Sequence, residues 1–115
     1  MTPDNAAVTA GSEIVFNCGI NAKGEFLQWR YSASDSSISS RIFFNTIANK
    51  SFGHRFSVRV HDNRLDLRIA DIHVCDAGTY TCKEPGTEIS SSAELIVIGK
   101  FNHGQIFECY NRQVS

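Results

Sequence analysis

The stretch Val74–Cys82, VCDAGTYTC, holds two cysteines seven residues apart, Cys75 and Cys82. Whether they bond to each other or serve two separate bonds decides how the whole chain is organised. The second half, TYTC, reads as an extended segment with Tyr80 and Cys82 on one face, because strand side chains alternate. Gly78 ahead of it suits a tight turn where a positive φ is needed.

Outward from this stretch the same alternation recurs. EIVFNC places Ile14, Phe16 and Cys18 on one face, and EFLQWRY does so with Leu27, Trp29 and Tyr31. RIFFN follows the Ser-rich turn SASDSSISS. RFSVRV aligns Phe56, Val58 and Val60, RLDLRI aligns Leu65, Leu67 and Ile69, and AELIVI aligns Leu95 and Val97. Period-two runs bury one face of a strand, and HDN, AG and EPG mark turns between them. Helical periodicity of useful length is missing. Seven or more short strands in about 100 residues predict an all-β chain, a two-sheet antiparallel sandwich.

Length and composition narrow the function. The chain has 115 residues, the size of one domain, and 42% hydrophobic residues supply a core. Its formal net charge of −1 offers no broad basic surface for nucleic acid. The longest apolar run, ELIVIG, is strand-sized, well short of the roughly 20 residues of a membrane span. The start, MTPDNAAV, has no charged or apolar leader, and Met1 is read as an added start residue on a mature fragment. Four cysteines, an even number, point to disulfides and an oxidising compartment. Zinc needs Cys or His pairs two to four residues apart, and no two cysteines here are that close. His54, His61, His73 and His103 are scattered, no nucleophile elbow or phosphate loop occurs, and the chain is read as a non-enzyme with no metal and no cofactor.

Cys18, Trp29 eleven residues later, Arg55-Phe56, and Asp76, Gly78, Tyr80 and Cys82 form a joint pattern. Over residues 6–98 it resembles the immunoglobulin superfamily, specifically the V-set. The resemblance implies a V-type sandwich with Greek-key topology and a Cys18–Cys82 disulfide across the two sheets, with Trp29 packed on it. It implies a Tyr80 hydroxyl bonded to backbone at the preceding turn, and an Arg55–Asp76 ion pair closing one end. The implied strands are A′ near 6–10, B 13–19, C 26–31, C′ 41–45, C″ near 47–51, D 55–61, E 64–69, F 78–84 and G 89–98. The Phe-Gly-x-Gly bulge that opens strand G in rearranging antigen receptors is missing from EPGTEISSSAELIVI. An innate receptor, an adhesion molecule or a primitive variable-like relative fits better, on the cell surface or secreted.

The two cysteines of the opening stretch then have separate jobs. With Cys82 committed to Cys18, Cys75 in the E–F turn is expected to bond Cys109. That bond would tie the tail, residues 99–115, back to the domain of residues 1–98. An interchain bond through Cys109 and two free thiols are the alternatives, as is a tail leading onward to another domain.

V-set domains meet partners through the A′GFCC′C″ sheet or the loops at its tip. Alternation turns Gln28, Arg30, Thr81, Lys83, Glu94, Ile96 and Ile98 outward. In C′ either Phe43 or the pair Ile42 and Phe44 faces out. An outward Phe beside Ile96, rimmed by Gln28, Arg30 and Lys83, would make an apolar spot for a protein partner or for a second copy in a homodimer. Recognition of microbial or glycan surfaces through the tip loops GINAKGE and EPGTE is the alternative, as is a spacer role. Asn49-Lys50-Ser51 fits the N-glycosylation pattern, which agrees with secretion.

Overall fold

The structure is a computed structural model, described here for residues 3–19, 27–34, 37–61, 64–84 and 90–99. Nine strands occur among them: β1 (Ala6–Thr9), β2 (Ile14–Phe16), β3 (Gln28–Ser32), β4 (Ser40–Phe44), β5 (Ile47–Ala48), β6 (Phe56–His61), β7 (Arg64–Ile69), β8 (Gly78–Lys83) and β9 (Ser90–Ile98). They form a six-stranded front sheet in the order β1-β9-β8-β3-β4-β5 and a three-stranded back sheet in the order β2-β7-β6. Every pairing is antiparallel except β1 with β9, which run parallel.

The inward faces of the two sheets supply the core. Phe16, Leu65, Leu67 and Ile69 from the back sheet meet Trp29, Tyr31, Tyr80, Cys82 and Leu95 from the front, all buried. Phe16 stacks on Tyr80 at 5.3 Å between ring centroids, and Tyr80 packs on Tyr31 at 5.1 Å. The indole N–H of Trp29 donates to the Leu65 carbonyl at 2.7 Å, so the largest core side chain also hydrogen bonds across the sandwich.

Three local expectations need correction. The C″ strand stops at Ala48, and Lys50–Phe52 form a 3-10 turn instead. Asn49 starts that turn by accepting from the Ser51 backbone N–H at 3.1 Å. The turn drops Phe52 into the core edge-on to Tyr31 and Phe56, with centroids 6.1 and 5.3 Å away.

The second correction concerns β4. Trp29 pairs with Phe43 but Arg30 pairs with Arg41, which leaves Ile42 as an extra residue in a β-bulge. Simple alternation therefore fails there. Ile42 and Phe43 are both buried, Phe43 at 6% exposure, and Phe43 is not a partner-facing residue. Only Phe44 is partly exposed. The third is Val60, which is exposed rather than buried with Phe56. It lies near the end of β6, an edge strand with β7 as its one neighbour.

Candidate functional site

Two regions carry the residues singled out from sequence: a closed end that holds the fold, and the outer face of the front sheet. Cys18 and Cys82 are disulfide-bonded across the sandwich, with Cα atoms 6.3 Å apart, and the closed end lies at the opposite end of β8, around Asp76. Asp76, wholly buried, accepts from both terminal nitrogens of the Arg55 guanidinium, at 2.6 and 3.0 Å. The His73 backbone N–H donates to the same carboxylate at 2.7 Å, so three donors satisfy one buried charge. The Tyr80 hydroxyl donates to the Asp76 carbonyl at 2.6 Å, and the Tyr31 hydroxyl to the Ala77 carbonyl at 2.7 Å. The 3-10 turn Val74–Asp76 is thus fixed from outside by three side chains, Tyr31 of β3, Tyr80 of β8 and Arg55 from the loop before β6.

Gly78 opens β8 with φ +147°, a conformation that L side chains rarely adopt. Cys75 is disulfide-bonded. Its expected partner, Cys109, lies outside the described residues, as does the tail beyond Gly99.

On the front sheet the registers place the outward side chains in rows. Phe44, Gln28, Lys83 and Ser90 form one row across β4, β3, β8 and β9. Arg41, Arg30, Thr81 and Ser92 form the next, with the Thr81 and Ser92 hydroxyls hydrogen-bonded at 2.7 Å. Gln28, Arg30, Thr81 and Lys83 are all partly exposed, and Ile96 is 52% exposed.

The predicted apolar spot does not form. Ile96 lies six residues along β9 from Ser90, and β9 is three strands from β4. At about 3.3 Å per residue and 4.8 Å per strand, Phe44 and Ile96 sit more than ~20 Å apart. Ile96 instead pairs with Ala7 and lines a shallow groove with Asn5, Ala6 and Glu94. The middle of the face is polar and basic.

Asn49 sits at the β5 end of this sheet with its amide engaged at both atoms. Its Nδ2, the atom a glycan would occupy, donates to the Arg41 carbonyl at 2.8 Å. The tip-loop segments GINAKGE and EPGTE lie outside the described residues apart from Gly19 and Glu84. His73 sits in the closed-end turn, and the His61 side chain lies outside what is described.

Sequence reasoning missed Asp66. It occupies an outward phase of β7 yet is buried, and its Oδ1 accepts from the Cys18 backbone N–H at 3.1 Å. Arg64, two residues away on the same strand, reaches Oδ2 at 3.4 Å. The Arg64-x-Asp66 spacing was the available signal, since strand residues two apart share a face. On the outer side of the back sheet Arg68 bonds Glu13 at 2.6 Å. That hydrogen bond holds the Glu13 carboxyl below its ordinary range and the Arg68 guanidinium above its own.

Among known proteins, no curated protein matches the chain. The family model of the immunoglobulin I-set domain matches residues 1–97, ending one residue before β9 does. The I-set is distinct from the V-set that the sequence pattern suggested, while both lie within one superfamily. Domains of this family are typically non-enzymatic binding modules. The match and the Cys18–Trp29–Cys82 core agree: the chain belongs to the immunoglobulin I-set family, within the immunoglobulin superfamily.

Proposed function

We propose that this domain is the recognition module of a cell-surface or secreted receptor, of immune or adhesion type, binding a protein partner through the outer face of the front sheet. One observation carries the reading. Gln28, Arg30, Thr81 and Lys83 project from two adjacent central strands in two aligned rows, each partly exposed, on the broader of the two sheets. Strands β4 and β5 extend that sheet at the positions of C′ and C″, the strands that variable-type domains add to the smaller layouts. This supports a V-like binding layout. The disulfide supports an extracellular setting, because thiols stay reduced in the cytosol.

The test is binding to an array of secreted and cell-surface ectodomains. Hits are measured again with Thr81→Trp on the front sheet and Arg59→Trp on the back sheet. The expected result is at least a tenfold weakening by Thr81→Trp alone. Binding that survives Thr81→Trp would overturn the assignment to this face.

We also propose that Cys75 bonds Cys109 within one chain. Cys18 and Cys82 occupy each other, and a Cβ on Gly99 would lie 3.5 Å from Val74, beside Cys75. Ten residues from there reach up to ~33 Å, ample for a return. A non-reducing digest of the monomer should yield one peptide pair joining Cys75 to Cys109. Recovery of a Cys18–Cys75 pair, or of a dimer lost on reduction, would sink the assignment.

A further inference from the structure

The centre of the front sheet carries three cations without a carboxylate. Arg30 and Arg41 stand directly opposite each other on β3 and β4. Directly opposed strand residues have Cβ atoms about 5 Å apart, and like charges there are destabilising. Lys83 sits on the far side of β3, opposite Gln28 and diagonal to Arg30. Among the described residues none of the three forms an ion pair, while Arg55, Arg64 and Arg68 each meet a carboxylate. The chain holds 11 Lys and Arg against 12 Asp and Glu, so its basic face stands against a net acidic remainder.

Arg30 is held in place by neutral acceptors. Its Nε donates to the Ser39 hydroxyl at 2.7 Å, one terminal nitrogen to the Ser39 carbonyl at 2.8 Å, and the other to Gln28 Oε1 at 3.4 Å. A guanidinium has five N–H donors, so these contacts orient the group and leave two donors and the full charge. A preset, uncompensated guanidinium suits bidentate binding of a carboxylate.

From this arrangement we infer that the Arg30, Arg41 and Lys83 face docks an acidic protein surface, one that presents Asp or Glu side chains to this cluster. The inference rests on the front-sheet reading above and specifies the partner's chemistry. A folded protein fits better than a polyanion chain, because three cations are few and Phe44 and exposed Ile47 flank them with apolar area. A second copy fits poorly. A two-fold pairing through this face would bring the cations of one copy against those of the other.

The experiment is an NMR titration of the full 115-residue chain at low ionic strength with an octa-glutamate peptide, an octa-lysine peptide and a heparin oligosaccharide. Octa-glutamate should shift the backbone amides of Gln28, Arg30, Arg41, Thr81 and Lys83 and the Arg30 Nε–H, and octa-lysine should not. Arg41→Glu should abolish these shifts while Arg59→Glu on the back sheet preserves them. Shifts centred elsewhere, or none, would overturn the inference. So would heparin binding more than tenfold tighter than octa-glutamate, since that marks a polyanion site. A dimer seen by sedimentation that Arg41→Glu strengthens would overturn it in favour of self-pairing. Array partners that need Thr81 yet tolerate Arg41→Glu would leave the face correct and the charge assignment wrong.

Discussion

Replacing Asp76 with alanine should lower the stability of the domain by about 3–5 kcal/mol, measured by denaturant unfolding with disulfides intact. The cost comes from what the carboxylate leaves behind. Arg55, with its side chain only 17% exposed, would keep its charge and lose its bidentate partner. The His73 N–H would lose its acceptor at the start of the 3-10 turn. That turn also presents the Asp76 and Ala77 carbonyls to the Tyr80 and Tyr31 hydroxyls, so its displacement loosens two core aromatics. Asp76→Asn keeps the shape and one acceptor oxygen, and should cost less. Arg55→Ala combined with Asp76→Ala should cost less than the two single losses together, because the second change removes a charge that has already lost its counter-ion. A loss below about 1 kcal/mol for Asp76→Ala would show that the closed end is held by packing alone.

Gly78→Ala should cost about 3 kcal/mol, from overpacking and from backbone strain. A Cβ at Gly78 would stand 2.5 Å from the Ser32 carbonyl oxygen and 2.8 Å from Tyr31 Cε1. The nearer obstacle is backbone of β3, paired with β8 through Ser32 and Thr79, so relief requires moving the central strands apart. Gly53 separates the two causes. It also has a positive φ, at +76°, but a Cβ there meets nothing within 4 Å. Gly53→Ala should therefore cost about 1–2 kcal/mol, from the strain of its φ +76°, ψ −173° backbone alone. Equal losses at the two sites would mean that φ strain, not the strand contact, sets the requirement at Gly78.

Much of the core frame was legible in the chain. Trp29, Tyr80 and Cys82 occupy strand positions and Cys18 lies two residues past β2, and the period-two pattern places each of them inward without knowledge of the partner sheet. Arg55 and Asp76 were legible through the resemblance alone, since nothing local says that residues 21 positions apart meet. Asp66 escaped because alternation assigns a polar residue in an outward phase to solvent. Its burial depends on the approach of the Cys18 backbone from β2's side of the sheet.

The recognition face divides along the same line. Which residues of β3, β8 and β9 point outward follows from alternation, and Gln28, Arg30, Thr81, Lys83 and Ile96 do so. Which of them are neighbours does not follow. That depends on strand order and on register, and a single bulge at Ile42 buried both Ile42 and Phe43, which alternation sets on opposite faces.

The sequence by itself determined the sandwich and most inward residues of its strands, because a two-residue period is a local property, while the Cys–Trp–Cys frame and the closing pair were legible through the family resemblance. Only the tertiary structure decided that Phe44 and Ile96 lie apart, that Arg30 and Arg41 stand opposed, and that Asp66 is buried. Those facts arise from pairing between strands distant in the chain, where hydrogen-bond register and side-chain volume, rather than local pattern, fix who meets whom.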